Sequence, residues 1–426
     1  MTTTELHSNS TQQPAVHHQI VVVGGGSAGI TVTAQLLIQD RSLDIAIIEP
    51  SDRHYYQPAW TLVGAGCFQF EETVKPEADC IPKGSTWLRD AVAKFEPDEN
   101  YLIAQGGQKV TYDYLIVCPG IQLDWDRISG LKDAIGKNGV CSNYVPGGAT
   151  YTKEAIDNFR GGNAVFTFPA TPIKCAGAPQ KVMYLADDVF RRNGVRAKTQ
   201  ISYCVATPKI FGVPTFVPPL MQVAERKGID LKVLHNLKAV NAAAKEAIFD
   251  VTIDGLVKEV TIPYDLLHVA PPMSAPDFIK SSKLSVESPL GWVDVDKYTL
   301  QHNRYANVFS LGDASSLPNS KTAAAIRRQA PVLVQNLLAL LKKGSLDAKY
   351  NGYSCCPLIT GYGKTIMAEF DYDGNPYPSF PLDCTQERYS MWFLKRNVLP
   401  WVYWNRMLKG ADHEGNTIRK ITGMDS

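Results

Sequence analysis

Apolar residues fall in short blocks separated by turn residues. Ile20–Val23 is a continuous apolar run that stops at Gly24, Gly25 and Gly26, and a helical pattern of apolar positions begins at Gly29 and Ile30. Such a run bounded by turn residues reads as a buried strand. Ile45–Ile48 and Tyr114–Val117 read the same way, the latter closed by Cys118-Pro119-Gly120. Near Thr150 the pattern restarts: Ala164–Phe168 predicts a strand, Gln180–Arg192 a helix, and Ile201–Ala206 and Leu231–Leu234 two further strands. Alternation from Val240 to Val269 predicts antiparallel pairs. Asn307–Leu311 is again an apolar strand, ending in Gly312-Asp313, with a helix opening at Lys321-Thr322-Ala323. Tyr353–Thr360 and Lys364–Tyr372 read as a hairpin. Strands alternating with helices define an α/β chain. The expected architecture is two Rossmann-like dinucleotide-binding domains, the first discontinuous, plus a C-terminal membrane-interface region. The expected segments are a disordered tail (1–18), the first domain (19–155 and 291–345), the second domain (156–290) and the C-terminal region (346–426).

The first strand-to-helix turn carries chemistry. Gly24, Gly26 and Gly29 fit G-x-G-x-x-G, with Ser27 and Ala28 between the second and third glycines. The first glycine makes the tight turn, the second admits a pyrophosphate to the backbone, and the third lets helix and strand pack closely. Free N–H groups at the helix start then hold the pyrophosphate. Glu49 ends the second strand, twenty residues after Gly29, where a carboxylate accepts both ribose hydroxyls of an adenine dinucleotide. The site binds FAD or NAD, and the later Gly312-Asp313 selects FAD. An aspartate at that strand end can accept a hydrogen bond from a ribityl hydroxyl, and the helix start at Lys321, Thr322 and Ala323 can stabilise charge on a reduced ring.

Charge adds little. Lys plus Arg is 43 and Asp plus Glu 42 among 426 residues, so no global field favours nucleic acid. Nine cysteines form no C-x-x-C zinc pattern, and a chain of this size with an odd count suits a reducing compartment. No apolar stretch is long enough to span a bilayer; the longest, Pro331–Leu341, contains Gln335 and Asn336. Residues 1–18 lack the pattern of a secretory signal or an Arg-rich presequence.

The turn of the second domain is rewritten. After Phe168 the chain reads Pro169-Ala170-Thr171-Pro172-Ile173-Lys174-Cys175-Ala176-Gly177, with prolines and a cysteine where a nicotinamide nucleotide's pyrophosphate would sit. That argues against NAD(P)H as substrate. At the far end, Met391–Lys409 gathers Trp392, Phe393, Trp401 and Trp404 with Lys395, Arg396, Arg406 and Lys409 and no acid. Two short helices broken at Pro400, with indoles at headgroup depth and cations outward, suit an interfacial anchor. An aromatic dimer or domain interface is the alternative.

Taken together, Gly24–Gly29 with Glu49, the stretch His54–Gly66, Pro172–Lys181, Gly312-Asp313 with Ser320-Lys321-Thr322, and Ser354-Cys355-Cys356-Pro357-Leu358 resemble the sulfide:quinone oxidoreductases, in the branch that includes the mitochondrial enzymes. The resemblance implies an FAD enzyme on one membrane face. It implies Cys175 and Cys356 as the redox pair, and Gln57 lying along the cofactor. Its partners would be hydrogen sulfide, a membrane quinone, a small sulfur acceptor (sulfide, sulfite, a thiol or cyanide) and the lipid surface, with a homodimer compatible. A doublet Cys355-Cys356 departs from a single thiol; a disulfide between adjacent residues is strained, which favours Cys356 for distant Cys175. Lys174, Lys181 and Lys395 are auxiliary candidates for lowering a thiolate pKa, although the ordinary reading of each is a solvated surface lysine. The expected location is the cytoplasmic face of a bacterial-type membrane. The rival readings are a type II NADH:quinone dehydrogenase-like flavoprotein and a non-catalytic flavin-binding protein.

Overall fold

β1 (Val16–Val23) is the central strand of the first sheet, with its last four residues buried. The computed structural model describes residues 14–411, 418, 419, 421 and 422. The strand therefore begins inside the segment expected as a tail, because Val16 to His18 pair in parallel register with Val110–Tyr112; residues 1–13 lie outside the described residues. β1 turns through Gly24 into helix α1 (Ser27–Gln39), and β2 (Ile45–Ile48) pairs with β1 in parallel. Further strands complete the sheet: Thr86–Leu88 outside β2, Lys109–Val117 on the other flank of β1, then Tyr101–Ala104 and Val92–Glu96 antiparallel beyond it. The returning strand Val308–Ser310 adds in parallel to the end of Lys109–Val117. These runs are continuously apolar because both faces of the parallel strands are buried.

The glycine turn shows why its sequence is restrictive. Gly24 has φ +108°, a left-handed region open to glycine. A Cβ at Gly29 would lie 1.9 Å from the Gly24 carbonyl oxygen, so helix and turn touch backbone to backbone. A Cβ at Gly26 would meet nothing within 4 Å, which leaves room there for a ligand.

The second sheet is wholly parallel, in the order Val140–Cys141, Leu266–His268, Gly162–Phe168, Thr199–Val205, Ile229–Lys232. Three antiparallel strands, His235–Asn241, Glu246–Ile253 and Leu256–Pro263, follow as the alternation predicts. The domain boundaries differ from 155 and 290. The chain leaves the first domain at Gln122–Leu123 and returns at Met273–Ser274, and these two crossings pair with each other. Ile128, Leu131, Ala134 and Val140 already belong to the second core, whereas Ile279 and Leu284 lie in the first. A two-residue strand and a single helical turn are too short to register as periodicity.

The hairpin Ser354–Gly361/Lys364–Phe370 lies between the two domains, and its faces alternate. Cys356, Leu358, Ile366 and Ala368 pack into the second core, while Cys355 and Met367 pack into the first. Replacing Gly29 by alanine should cost about 1–3 kcal/mol through this overpacking and weaken cofactor retention, both read in one thermal melt that follows flavin release.

Candidate active site

One cavity of about 560 Å³ runs from the glycine turn, past the loop 55–61 and the start of the helix Ala323–Leu341, to the Cys175 loop and the C-terminal segment. It brings together Gly25–Ala28, Glu49, Gln57, Asp313, Lys321–Ala323, Lys174, Cys175, Lys181 and Lys395, most of which the sequence marked as site residues.

At the dinucleotide end, Glu49 accepts hydrogen bonds from the backbone N–H groups of Gly25 (2.7 Å) and Ser51 (2.8 Å). Burial nevertheless holds its carboxyl above the usual carboxylate range. The remaining lone pairs face the cavity, as a ribose diol requires. At the opposite end, Thr322 caps the helix Ala323–Leu341 by accepting from Ala325 N–H, leaving Ala323 and Ala324 at the cavity wall. Lys321 is buried and turned inward, donating to the carbonyl oxygens of Asp313 (2.7 Å) and Ser315 (3.0 Å), with burial pushing its ammonium down to about 8. Asp313 beside it is raised, again by burial. An open cradle at Gly26, an acid at the second strand end and an aspartate before an exposed helix start fit FAD; when bound it supplies a two-electron carrier.

The thiols meet across the domain junction. Cys175 lies on the rewritten turn at φ +88°, a strained conformation for a residue with a Cβ. Its side chain neighbours and interacts with that of Cys356, and both stand here as thiols. That contact holds Cys175 well below the usual thiol range; burial opposes it, while attraction to Lys181 and Lys395 assists. Cys356 is pushed well above its ordinary value, first by the same contact and then by burial. Lys181 Nζ lies 3.2 Å from Cys175 Sγ. Cys355 points the other way, with Met367 Sδ at 3.4 Å, and reaches the cavity from the first-domain side.

The auxiliary lysines are not solvated surface groups. Lys181 and Lys395 are 3% exposed, and Lys174 Nζ donates to Gln57 Oε1 at 2.7 Å inside the cavity. Burial pushes Lys174 down to about 8 and Lys395 down to about 7, the neighbouring Lys181 adding to the latter. Lys395 is turned inward by a π-helical turn at Leu394–Val398, where its ammonium donates to Pro58 O.

The C-terminal segment also differs from expectation. Its helical run Tyr389–Asn405 is interrupted at that π turn, and Pro400 sits in the first turn of the following helix, where a missing N–H costs nothing. Trp392 and Trp404 are buried in the cores, so they are not headgroup indoles; Trp401 (58% exposed) and Phe393 (50%) remain outward, with Tyr389. No helix among the described residues is long and apolar enough to cross a membrane. Sequence reasoning missed a buried chain in which Tyr403 Oη hydrogen-bonds Ser27 Oγ (2.7 Å) and His54 Nε2 (2.6 Å), with His54 Nδ1 3.3 Å from Glu77. Nothing in the spacing of residues so far apart signals that chain.

This is the arrangement of a two-dinucleotide-domain flavoprotein with Cys175, one of two neighbouring thiols, on the wall of the cofactor cavity, and residues 18–145 match the pyridine nucleotide-disulphide oxidoreductase family. The chain is 43% identical over 406 residues to a mouse (Mus musculus) protein named mitochondrial sulfide:quinone oxidoreductase, covering 95% of this chain and 90% of that one. It is 46% identical over 402 residues to a Dictyostelium discoideum protein of the same name, covering 94% and 88%. The chain belongs to the sulfide:quinone oxidoreductase family. Its fold is also similar to the crystal structure of the Aquifex aeolicus sulfide:quinone oxidoreductase, with TM-score 0.79, 19% identity, and 96% and 95% of the two chains covered.

Replacing Lys181 by methionine should raise the pH at which Cys175 ionises by about 1 unit or more, read from the pH profile of iodoacetamide alkylation. Tyr403→Phe should cost about 1 kcal/mol, measured as a lower midpoint for denaturant-induced flavin release.

Proposed function

We propose that the protein is an FAD-dependent sulfide:quinone oxidoreductase that oxidises hydrogen sulfide through Cys175 and Cys356. The observation that carries the reading is the meeting of these two thiols, from the rewritten turn of one domain and a hairpin strand about 180 residues later, beside a buried lysine. FAD, held between Glu49 and Asp313, supplies the two-electron link to the quinone.

In the oxidised enzyme the pair forms a disulfide. Hydrosulfide attacks Cys356 Sγ; a new S–S bond forms, the old one breaks, and Cys175 leaves as a thiolate while Cys356 carries the persulfide. The direction follows from acidity, since the thiol of lower pKa is the better leaving group and Cys175 is held low while Cys356 is held high. Lys181 balances the charge on the departing sulfur, and Lys395, at about 7, can exchange a proton near neutral pH. A small nucleophile (sulfide, sulfite, a thiol or cyanide) then takes the outer sulfur and returns Cys356 to its thiol.

We place the protein on a membrane surface rather than through it. Trp401, Phe393 and Tyr389 face outward from the C-terminal segment, while Leu399 and Val402 of the same segment line the cavity. That supports quinone entry from the lipid side past these apolar groups.

The deciding experiment is substitution of the three thiols. Cys175→Ser and Cys356→Ser should each reduce sulfide oxidation to background, and Cys355→Ser should be milder. Cys356→Ser should keep a long-wavelength absorbance from the Cys175 thiolate beside oxidised flavin, and Cys175→Ser should lack it. Full sulfide turnover in all three variants would sink the mechanism. Trp401→Ala with Phe393→Ala should reduce sedimentation with anionic vesicles several-fold.

A further inference from the structure

The cavity does not stop at the thiols. Its wall also includes Tyr144, Cys175, Ala178, Lys181, Val182 and His268, a stretch here called the recess, to which the first turns of the helix Ala178–Arg192 contribute. Two of these side chains are polar and neutral, and neither is used by the reaction just described. His268 is fully buried at the carboxyl end of the strand Leu266–His268, and neither ring nitrogen has a hydrogen-bond partner among the described residues. Its ring stacks on Phe166 at 5.9 Å, its neighbour in the parallel register. Burial pushes its pKa down to about 3, so the imidazole is neutral, with one donor and one acceptor nitrogen. Tyr144 is 6% exposed and its hydroxyl is also without a partner. Burial raises its pKa, and charge on Cys175 or on Cys356 adds to that, which puts the phenol within electrostatic reach of both sulfurs.

Buried polar atoms are nearly always hydrogen-bonded, and each exception calls for a reason. Here both unpartnered side chains line the cavity that holds Cys175 and Lys181, and His268 does so from the carboxyl end of a parallel strand, where ligands of α/β folds bind. Resting on the function proposed above, we propose that Tyr144 and His268 form the seat for the incoming sulfide. Hydrosulfide is the chemistry that suits it. The phenol O–H donates to the anionic sulfur, the acceptor nitrogen of His268 takes the S–H, and Lys181 at the mouth supplies the opposite charge. A lone pair is then free to meet the disulfide. The seat moves no proton and no electron; both groups bind substrate, and the recess excludes anything bulky at that point.

The test uses FAD-loaded full-length protein with a short-chain quinone. Tyr144→Phe, His268→Asn and the double variant are compared with Ala178→Val, which narrows the recess and keeps both polar groups. The expected result is a KM for sulfide raised at least tenfold in the double variant and severalfold in Ala178→Val. The quinone KM, the flavin content and the oxidised flavin spectrum should be unchanged. A sulfide KM within twofold of the parent in Ala178→Val and in every folded polar variant overturns the proposal, leaving the orphan groups to ordered water. A changed oxidised spectrum or lost flavin assigns the pair to the cofactor instead and overturns it equally. If the parent itself fails to oxidise sulfide, the proposed function falls with the seat; a parent that turns over, with unaltered variants, removes the seat alone.

Discussion

Successive side chains of a β-strand point to opposite faces, and the strand Ser354–Gly361 lies where those faces belong to different cores. This period of two decides which cysteine meets Cys175. Cys356 shares a face with Leu358 and enters the second domain, where Cys175 waits; Cys355 shares the opposite face with the first core. A slip of one residue in the hairpin register would exchange the two thiols and bring a different sulfur to the junction. The register is held by pairing along the whole hairpin, from Ser354 against Phe370 to Ile359 against Thr365. The meeting of Cys175 and Cys356 is thus a product of sheet geometry as much as of cysteine placement.

The electrostatics are arranged around one anion. Lys181 and Lys395 have lost most of their water, and Lys174 sits within the cavity. Concentrating cations there is unfavourable until a negative group appears among them. A thiolate at Cys175 is that group. The strained backbone of Cys175, the buried Lys181 beside it and the downward shift of Lys395 describe one site held ready for charge on sulfur.

Much of this was legible in sequence because it depends on local rules. The turn Gly24–Gly29, the acid at the end of β2, the strand before Asp313 and the altered turn at 169–177 each declare themselves within a few residues. The long-range features did not. Whether Trp392 faces lipid or core depends on which side of a helix docks, and an aromatic-basic pattern reads alike for both. Lys395 resembles a surface lysine until a π turn swings it inward. The true domain crossings hide in two-residue strands. The buried contact of His54 and Tyr403 joins residues 349 apart, where no spacing rule operates.

That contact constrains the history of the molecule as well as its rest state. Tyr403 closes over Ser27 at the start of α1, and Leu399 and Val402 form part of the same wall. A dinucleotide can reach the glycine turn by this side only while the C-terminal segment is lifted. Seen from this side, the segment is a latch across the glycine turn. Trp401, Phe393 and Tyr389 are carried outward on that same segment, so any surface that covers them also weighs against its lifting.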